Sequence, residues 1–160
     1  MTPIEYALKE YGVKEIVGAE NNPRVVQYST DIGNTWVKTD EVAWCSEFVN
    51  WCLLQAGIQG TKSAVAKSFL KWGVETKTPN FGDLVIFSWD ATSGHIGFYV
   101  NEAPGGIRVL GGNQDDEVNI KVYKKDKIVS YRKVPVTNEK DAIYASLIPI
   151  LTNILNALKK

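Results

Sequence analysis

Three side chains that suit thiol-based catalysis follow one another along the chain. Cys45 comes first, the single histidine His95 lies between glycines, and Asn113 follows two glycines. A cysteine nucleophile needs a base within hydrogen-bonding distance and a third group that orients this base. Because the chain has one histidine, His95 is its one candidate base of that type. The order Cys, His, Asn therefore predicts nucleophilic attack on a carbonyl carbon.

The residues after Cys45 predict a helix that begins close to the cysteine. Apolar residues recur there at helical spacing, and Gly57 suits the left-handed position that follows a helix. Thr39 and Asp40 lie just upstream and can cap or charge the first turn. Free N–H groups and the helix dipole favour a thiolate at that end, so we expect a lowered pKa for Cys45.

Each of these residues also has a simpler interpretation when it is taken alone. Cysteine is among the most buried residue types, so Cys45 fits a core position, as Cys52 does. His95 fits a structural strand histidine, and Asn113 fits a turn. A Cys45–Cys52 disulfide is not expected, because seven helical residues separate the Cα atoms by roughly 10 Å, beyond the usual limit of about 7 Å. The catalytic hypothesis depends on the three residues jointly.

Composition limits the classes of protein that the chain can belong to. Its 160 residues fit one ordinary domain with a real core. A formal net charge of zero gives no reason to expect a nucleic-acid partner. Two cysteines are too few for a disulfide framework. The N-terminal residues lack the features of a signal peptide, and no apolar run is long enough to span a membrane.

The pattern of elements predicts an α+β protein, with helices first and a sheet second. Helices are expected to start at Thr2-Pro3 and at Asn22-Pro23, and an amphipathic helix is expected over residues 64–72. After Pro79 the period changes to that of strands. Five β-rich runs separated by turn residues indicate an antiparallel meander, and they cover residues 84–89, 95–101, 107–111, 118–123 and 128–133.

The expected hairpin register brings His95 and Asn113 together. If the turn between the second and third strands centres on Pro104, these two residues lie directly opposite each other, with Cβ atoms roughly 5 Å apart. The Asn113 carboxamide then accepts the Nδ1–H of His95 and leaves Nε2 facing the thiol. A slip of one residue would turn Asn113 to the other face of the sheet.

Four segments together resemble a known family. They are WCSEFV (44–49), FGDLVIF (81–87), GHIGFYV (94–100) and GGNQ (111–114). In this order they resemble the CHAP (cysteine, histidine-dependent amidohydrolase/peptidase) and NlpC-like cell-wall hydrolases, above all short phage and prophage endolysin-type members. The resemblance covers about residues 22–135. It implies a papain-like fold, in which N-terminal helices pack on an antiparallel sheet of about five strands.

The resemblance also implies roles for individual residues. Cys45 is the expected nucleophile, His95 the base and then the acid, and Asn113 the orienting group. The residue type at the third position varies in this family, so Gln114 and Asp115 compete with Asn113 for it.

Further residues are expected to complete the site. The Cys45 backbone N–H is expected to stabilise the oxyanion, with the side chain of Tyr28 as a second candidate donor. Trp44, Trp89 and Tyr99 are expected to wall the substrate groove. One histidine and two cysteines on one helix give no metal-ligand spacing, so we expect neither a metal nor another cofactor.

The function that the resemblance implies is cleavage of an amide bond in bacterial peptidoglycan, as an amidase or an endopeptidase, during phage or prophage lysis. The protein is expected to be a monomer that is made in the cytoplasm and acts in the periplasm or cell wall after release or export. Two alternatives stay open. One is a cysteine hydrolase of a non-wall amide, such as a toxin or effector, and the other is an idle wall-binding module.

The C-terminal residues form a separate unit in this interpretation. Residues 1–136 are expected to be the catalytic domain, and residues 137–160 an amphipathic helix that Pro149 kinks. The helix carries an apolar stripe that can dock on the catalytic domain, insert into a membrane interface or a partner's groove, or self-associate. The stripe consists of Ile143, Leu147, Ile150, Leu151, Ile154 and Leu158.

Overall fold

A computed structural model of the chain describes residues 1–135, together with residues 143, 147, 150 and 154. Within residues 1–135 the fold is α+β, as predicted, with helices packed against a six-stranded antiparallel sheet. The α-helices are α1 (Pro3–Lys9), α2 (Pro23–Asp31) and α3 (Cys45–Gln55).

The sheet has the strand order β1-β6-β2-β3-β4-β5. The four strands from β2 to β5 form the predicted meander, whereas β6 returns to pair with β2 and β1 pairs with the outer side of β6. The three residues of β1 were not predicted, because a strand that short has no visible alternation. The strands are β1 (Val74–Thr76), β2 (Leu84–Ser88), β3 (Gly94–Ala103), β4 (Gly106–Gly111), β5 (Asn119–Tyr123) and β6 (Ile128–Lys133).

Local signals account for the two N-terminal helices. The Asn22 side chain accepts a hydrogen bond from the Arg24 N–H, and Pro23 occupies the first helical position of α2. Thr2 is the N-cap residue of α1, as predicted, and Pro3 is its first residue. The helix expected over residues 64–72 is a short 3-10 segment, Ala66–Lys71. These differences change the ends of the elements and leave the arrangement intact.

Helix α3 lies at the centre of the main core. Phe48, Val49, Cys52 and Leu53 are fully buried, and they belong to the core shared with β2, β3 and β4. The predicted stop is present, because Gly57 has φ +75° just after the helix. Burial of this helix fixes its position against the sheet, and with it the position of its first residue.

The start of α3 differs from the prediction. Trp44 is the N-cap residue, and its side chain makes no capping hydrogen bond. Asp40 instead accepts hydrogen bonds from the Ile16 and Asn22 N–H groups, at 3.0 and 2.8 Å. Asp40 therefore ties the N-terminal loop to the loop before α3, and it leaves the first N–H groups of α3 to other partners.

The expected C-terminal helix lies mostly outside the described residues. The described stripe positions Ile143, Leu147, Ile150 and Ile154 are helical, and each side chain is about half exposed. Among the residues that the structure describes, none belongs to a helix that is both long and apolar enough to cross a bilayer.

Candidate active site

Cys45 is the first residue of α3, and its thiol is almost completely buried. The backbone N–H groups of Ile96, Ser46 and Cys45 itself act on the sulfur and favour the thiolate. Burial outweighs them and raises the pKa of the Cys45 thiol to about 11. The expected lowering of this pKa is therefore wrong, because desolvation exceeds what one helix terminus provides.

His95 is the second residue of β3, and 6% of its surface is exposed. Its ring lies beside the rings of Phe87 and Tyr123, with centroid distances of 6.1 and 5.4 Å. This burial lowers the pKa of His95 to about 4, and the charge of Lys121 acts in the same direction. The imidazole is therefore neutral at pH 7.

The two catalytic candidates meet where the start of α3 contacts β3. The sulfur of Cys45 lies against the N–H of Ile96, the residue next to His95. Since the thiol has a raised pKa and the imidazole a lowered one, the resting pair at neutral pH consists of a thiol and a neutral imidazole. The structure thus places a neutral thiol and a neutral imidazole in adjoining segments of the site.

The third residue at this site is Gln114 and not Asn113. The predicted register holds at Phe98–Leu110 and Tyr99–Val109, but β4 ends at Gly111. The chain then turns, and Gln114 Oε1 lies 3.0 Å from His95 Nε2. The expected pairing of Asn113 with His95 is therefore wrong, because the extrapolated ladder stops before it reaches Asn113.

The surroundings of Gln114 fix the direction of its carboxamide. Its Nε2 lies 2.8 Å from the Asn119 carbonyl oxygen, 2.9 Å from Asn119 Oδ1 and 3.3 Å from the Val109 carbonyl oxygen. Only an NH2 group suits three neighbouring oxygens, so Oε1 must face His95 and accept from its Nε2–H. The ring nitrogen left to take the thiol proton is Nδ1, which reverses the expected roles of the two nitrogens.

The turn that carries Gln114 has an unusual backbone. Asn113, Asp115 and Asp116 have φ values of +56°, +56° and +62°, so they lie in the left-handed region. Asn and Asp tolerate this region better than other residues with a Cβ. The composition of residues 113–116 was the sequence signal for a turn here, and it argued against extending the strand to Asn113.

Two glycines give the site its close packing. A Cβ on Gly111 would lie 2.8 Å from Gln114 Oε1 and 3.3 Å from His95 Nε2. A Cβ on Gly112 would lie 2.4 Å from an atom of the Trp44 ring. All three distances are shorter than ordinary van der Waals contact. The His95–Gln114 pair and the Trp44 ring can therefore approach residues 111 and 112 only because these residues lack a side chain.

Two candidates for other roles are placed elsewhere by the structure. The hydroxyl of Tyr28 donates its single proton to Glu10 Oε2 at 2.7 Å, so that proton is not directed at an oxyanion. Trp44 is 1% exposed, and its Nε1 donates to Glu15 Oε1 at 2.6 Å. Trp44 is therefore a core residue and not a wall of an open groove.

Tyr99 also lies away from the expected groove. It is four residues beyond His95 on β3, which corresponds to roughly 13 Å along a strand. Its hydroxyl donates to Glu102 Oε1 at 3.3 Å, and its ring packs edge-on against Tyr131. Tyr99 therefore belongs to a second, smaller hydrophobic cluster of the sheet, which also contains Val85 and Val109.

Trp89 remains next to the site. It stacks on Phe87 at 5.5 Å and on Tyr123 at 6.2 Å, and 43% of its surface is exposed. Since Phe87 and Tyr123 also flank His95, these rings form a continuous wall from the imidazole to solvent. Asp115, the other candidate for the third position, is exposed and pairs with Lys121 at 2.6 Å.

The remaining ionisable groups are not arranged as a metal centre. Within the described part of the chain, no three His, Cys, Asp or Glu side chains cluster in a way that could hold a metal ion. Both cysteines are free thiols.

A helix that begins with a cysteine and packs on an antiparallel sheet, with a histidine on the adjoining strand, is the arrangement of a papain-like fold. Residues 37–113 match the model of the CHAP domain family. Over this segment the chain resembles CHAP domains, and its fold resembles that of the NLP/P60 family.

A solved structure supports the same fold. It is described as similar to a lipoprotein of the NLP/P60 family, from Staphylococcus aureus subsp. aureus Mu50. The two chains are 19% identical, with a TM-score of 0.51, and the similarity covers 84% of this chain. The match spans 41% of the length of that structure. No curated protein matches the chain.

Proposed function

We propose that the protein hydrolyses an amide bond of bacterial peptidoglycan, as an amidase or endopeptidase, with Cys45 as nucleophile and His95 as base and then acid. The observation that carries the proposal is the buried thiol at the start of α3, beside a histidine whose Nε2 is held by Gln114. The match to the CHAP family model supports peptidoglycan as the substrate class. In this proposal Gln114 takes the orienting role that the sequence assigned to Asn113.

The reaction begins from the neutral pair. As the sulfur attacks the carbonyl carbon, its proton passes to His95 Nδ1, and the carbonyl oxygen becomes an oxyanion next to the N–H of Cys45. Gln114 Oε1 accepts from the Nε2–H and stabilises the imidazolium that forms, which is why its hydrogen bond raises the pKa of His95 against burial. Proton transfer and attack are coupled, because burial disfavours a free thiolate.

The remaining steps return the enzyme to its starting state. The oxyanion collapses, the C–N bond breaks, and the leaving amine takes the proton from Nδ1. Water then gives a proton to Nδ1 and attacks the thioester carbon. Collapse of that second oxyanion releases a carboxylic acid and restores the Cys45 thiol. Nothing beyond water and the amide is consumed.

The wall formed by Trp89, Phe87 and Tyr123 is the proposed side of the substrate groove. Its outer ring is half exposed, so part of an apolar face is available to the non-reacting portion of a substrate. A stem peptide offers methyl and methylene groups that suit such a face. Positioning by these contacts would align the amide carbon with the sulfur.

The experiment is digestion of purified peptidoglycan by the full chain, with mass spectrometry of the released fragments. Cleavage should expose new amino groups, and their positions distinguish amidase from endopeptidase activity. Cys45→Ala is the matched inactive control, and Cys52→Ala is the control for loss of a thiol elsewhere. Intact peptidoglycan after treatment with folded wild-type protein would contradict the proposal.

We further propose that the protein is a monomeric lysis enzyme of phage or prophage type that reaches the wall after release or export, and that its C-terminal helix contacts the membrane interface. The exposed apolar side chains at residues 147, 150 and 154 support such contact. A chain lacking residues 138–160 should digest purified peptidoglycan normally and lose activity against whole cells. Equal whole-cell activity of both chains would contradict the membrane role, and sedimentation would test the monomer.

A further inference from the structure

Asn119, the first residue of β5, holds Gln114 at two points. Its Nδ2 donates to the Gln114 carbonyl oxygen at 2.8 Å, and its Oδ1 accepts from Gln114 Nε2 at 2.9 Å. The Gln114 N–H also donates to the Glu117 carbonyl oxygen at 3.0 Å. The main chain and the side chain of Gln114 are thus both tied to the start of β5.

The loop between Gln114 and Asn119 needs such a tie. Gln114 lies between Asn113 and Asp115, which both have left-handed backbones, as does Asp116. This conformation is unfavourable for residues with a Cβ, so contacts from outside the loop must maintain it. The Asn119 side chain supplies two of these contacts, and both end on the residue that touches His95.

We propose that Asn119 is a positioning residue for the reaction, which acts by holding Gln114 in place and thereby keeps His95 Nδ1 available to the thiol. The contacts run in one line, from Asn119 to Gln114 and from Gln114 Oε1 to His95 Nε2 at 3.0 Å. The activity arm of the test rests on the hydrolase function proposed above, whereas the spectroscopic arm does not.

Main-chain contacts to Gln114 should limit the effect of removing the Asn119 side chain. The carbonyl oxygens of Asn119 and Val109 also accept from Gln114 Nε2, and they persist when the Asn119 side chain is removed. The carboxamide would then keep its direction but lose its fixed distance from His95. Removal of the Asn119 side chain should therefore be milder than removal of the Gln114 side chain.

A double-mutant cycle separates positioning from general stability. The four proteins are wild type, Asn119→Ala, Gln114→Ala and the double variant. Asn119→Ala should lower kcat about tenfold with KM unchanged, since a hydrogen bond contributes about that much. If Asn119 acts through Gln114, the double variant should have the kcat of Gln114→Ala alone. Independent, multiplicative losses would overturn the proposal.

Ile120 supplies the matched control. It neighbours Asn119 on β5 but lies on the opposite face, with 38% of its surface exposed. Ile120→Ala should leave kcat unchanged. Asn119→Asp is the second variant if Asn119→Ala does not fold, because it keeps the oxygen that accepts from Gln114 and loses the donor. It should fall between wild type and Gln114→Ala, and wild-type kcat in Asn119→Asp and Asn119→Ala alike would refute the proposal.

The single histidine permits a readout without substrate. In a chain labelled with 15N histidine, the two ring nitrogens belong to His95 alone. The Nε2 signal should move in Gln114→Ala, move less in the same direction in Asn119→Ala, and move no further in the double variant. An unchanged signal in Asn119→Ala would overturn the proposal. If these shifts appear but the wild type does not cleave peptidoglycan, the proposed function fails and the positioning role stands.

Discussion

Protonation of His95 should destabilise the fold in mild acid. Burial lowers the pKa of this imidazole from 6.5 in the unfolded chain to about 4 in the folded protein. Below pH 6.5 the unfolded chain therefore binds a proton that the folded protein does not bind until about pH 4. The associated stability is complete above pH 6.5 and is lost as the pH falls towards 4.

The size of this loss of stability follows from the pKa shift of His95. At about 1.4 kcal/mol for each pKa unit, the drop from 6.5 to about 4 corresponds to about 3 kcal/mol of unfolding free energy. A domain of this size has a total stability of about 5–15 kcal/mol, so the loss should be easy to measure.

The assay is urea unfolding of the wild type and His95→Gln across this pH range. Glutamine does not titrate, so the difference between the two proteins isolates His95. Buried carboxyls such as Glu47 and Asp83, whose pKa values burial raises, contribute to both proteins and cancel. The stability advantage of wild type should shrink by about 3 kcal/mol between about pH 7 and pH 4.

Two results would refute this reasoning. One is a stability difference that stays constant across the range, and the other is an NMR titration of His95 with a pKa near 6.5. Either would mean that water reaches the imidazole in the folded protein, and the neutral resting pair would then need to be abandoned.

Three further predictions concern the surroundings of the site. Iodoacetamide should label Cys45 faster than Cys52 in the native protein, because Cys52 is completely buried; faster loss of Cys52 by peptide mapping would reverse the assignment of roles. Trp89→Ala should raise KM several-fold while kcat changes little, since the ring touches no reacting atom in the proposed mechanism, and an unchanged KM would remove it from the groove. Gly112→Ala should cost about 1–3 kcal/mol in denaturant unfolding through its clash with Trp44, and wild-type stability would show that the contact relaxes freely.

Much of the fold was predictable because its signals are local. Asn22-Pro23 marks the start of α2 through a side-chain cap and a fixed φ, and Gly57 marks the end of α3 through its positive φ. The pairing of β6 with β2 was not predictable in this way. It joins residues more than forty positions apart, with only a short alternating pattern in each strand to indicate the match.

The residues of the candidate site were likewise predictable only in part. Cys45 and His95 were singled out by residue type and order, and the structure brings their segments together. Gln114 was predicted only as an alternative to Asn113 for the third position. The reason is that the predicted pairing of β3 with β4 was extended past Gly111, where β4 ends and a turn begins. The direction of the pKa shift of Cys45 was missed because it depends on the packing of β3 over the thiol, whereas the helix terminus is visible in the sequence and contributes only about 1 kcal/mol or less.

The raised pKa of Cys45 has a consequence for the durability of the protein in air. At neutral pH a thiol with a pKa of about 11 is ionised in roughly one molecule in ten thousand. Peroxide attacks the ionised form of a thiol. Oxidation of Cys45 to a sulfenic acid should therefore be slow, even though Cys45 is the proposed nucleophile. The Cys45 thiol should therefore stay reduced through aerobic storage without added reductant, because the oxidisable thiolate is scarce.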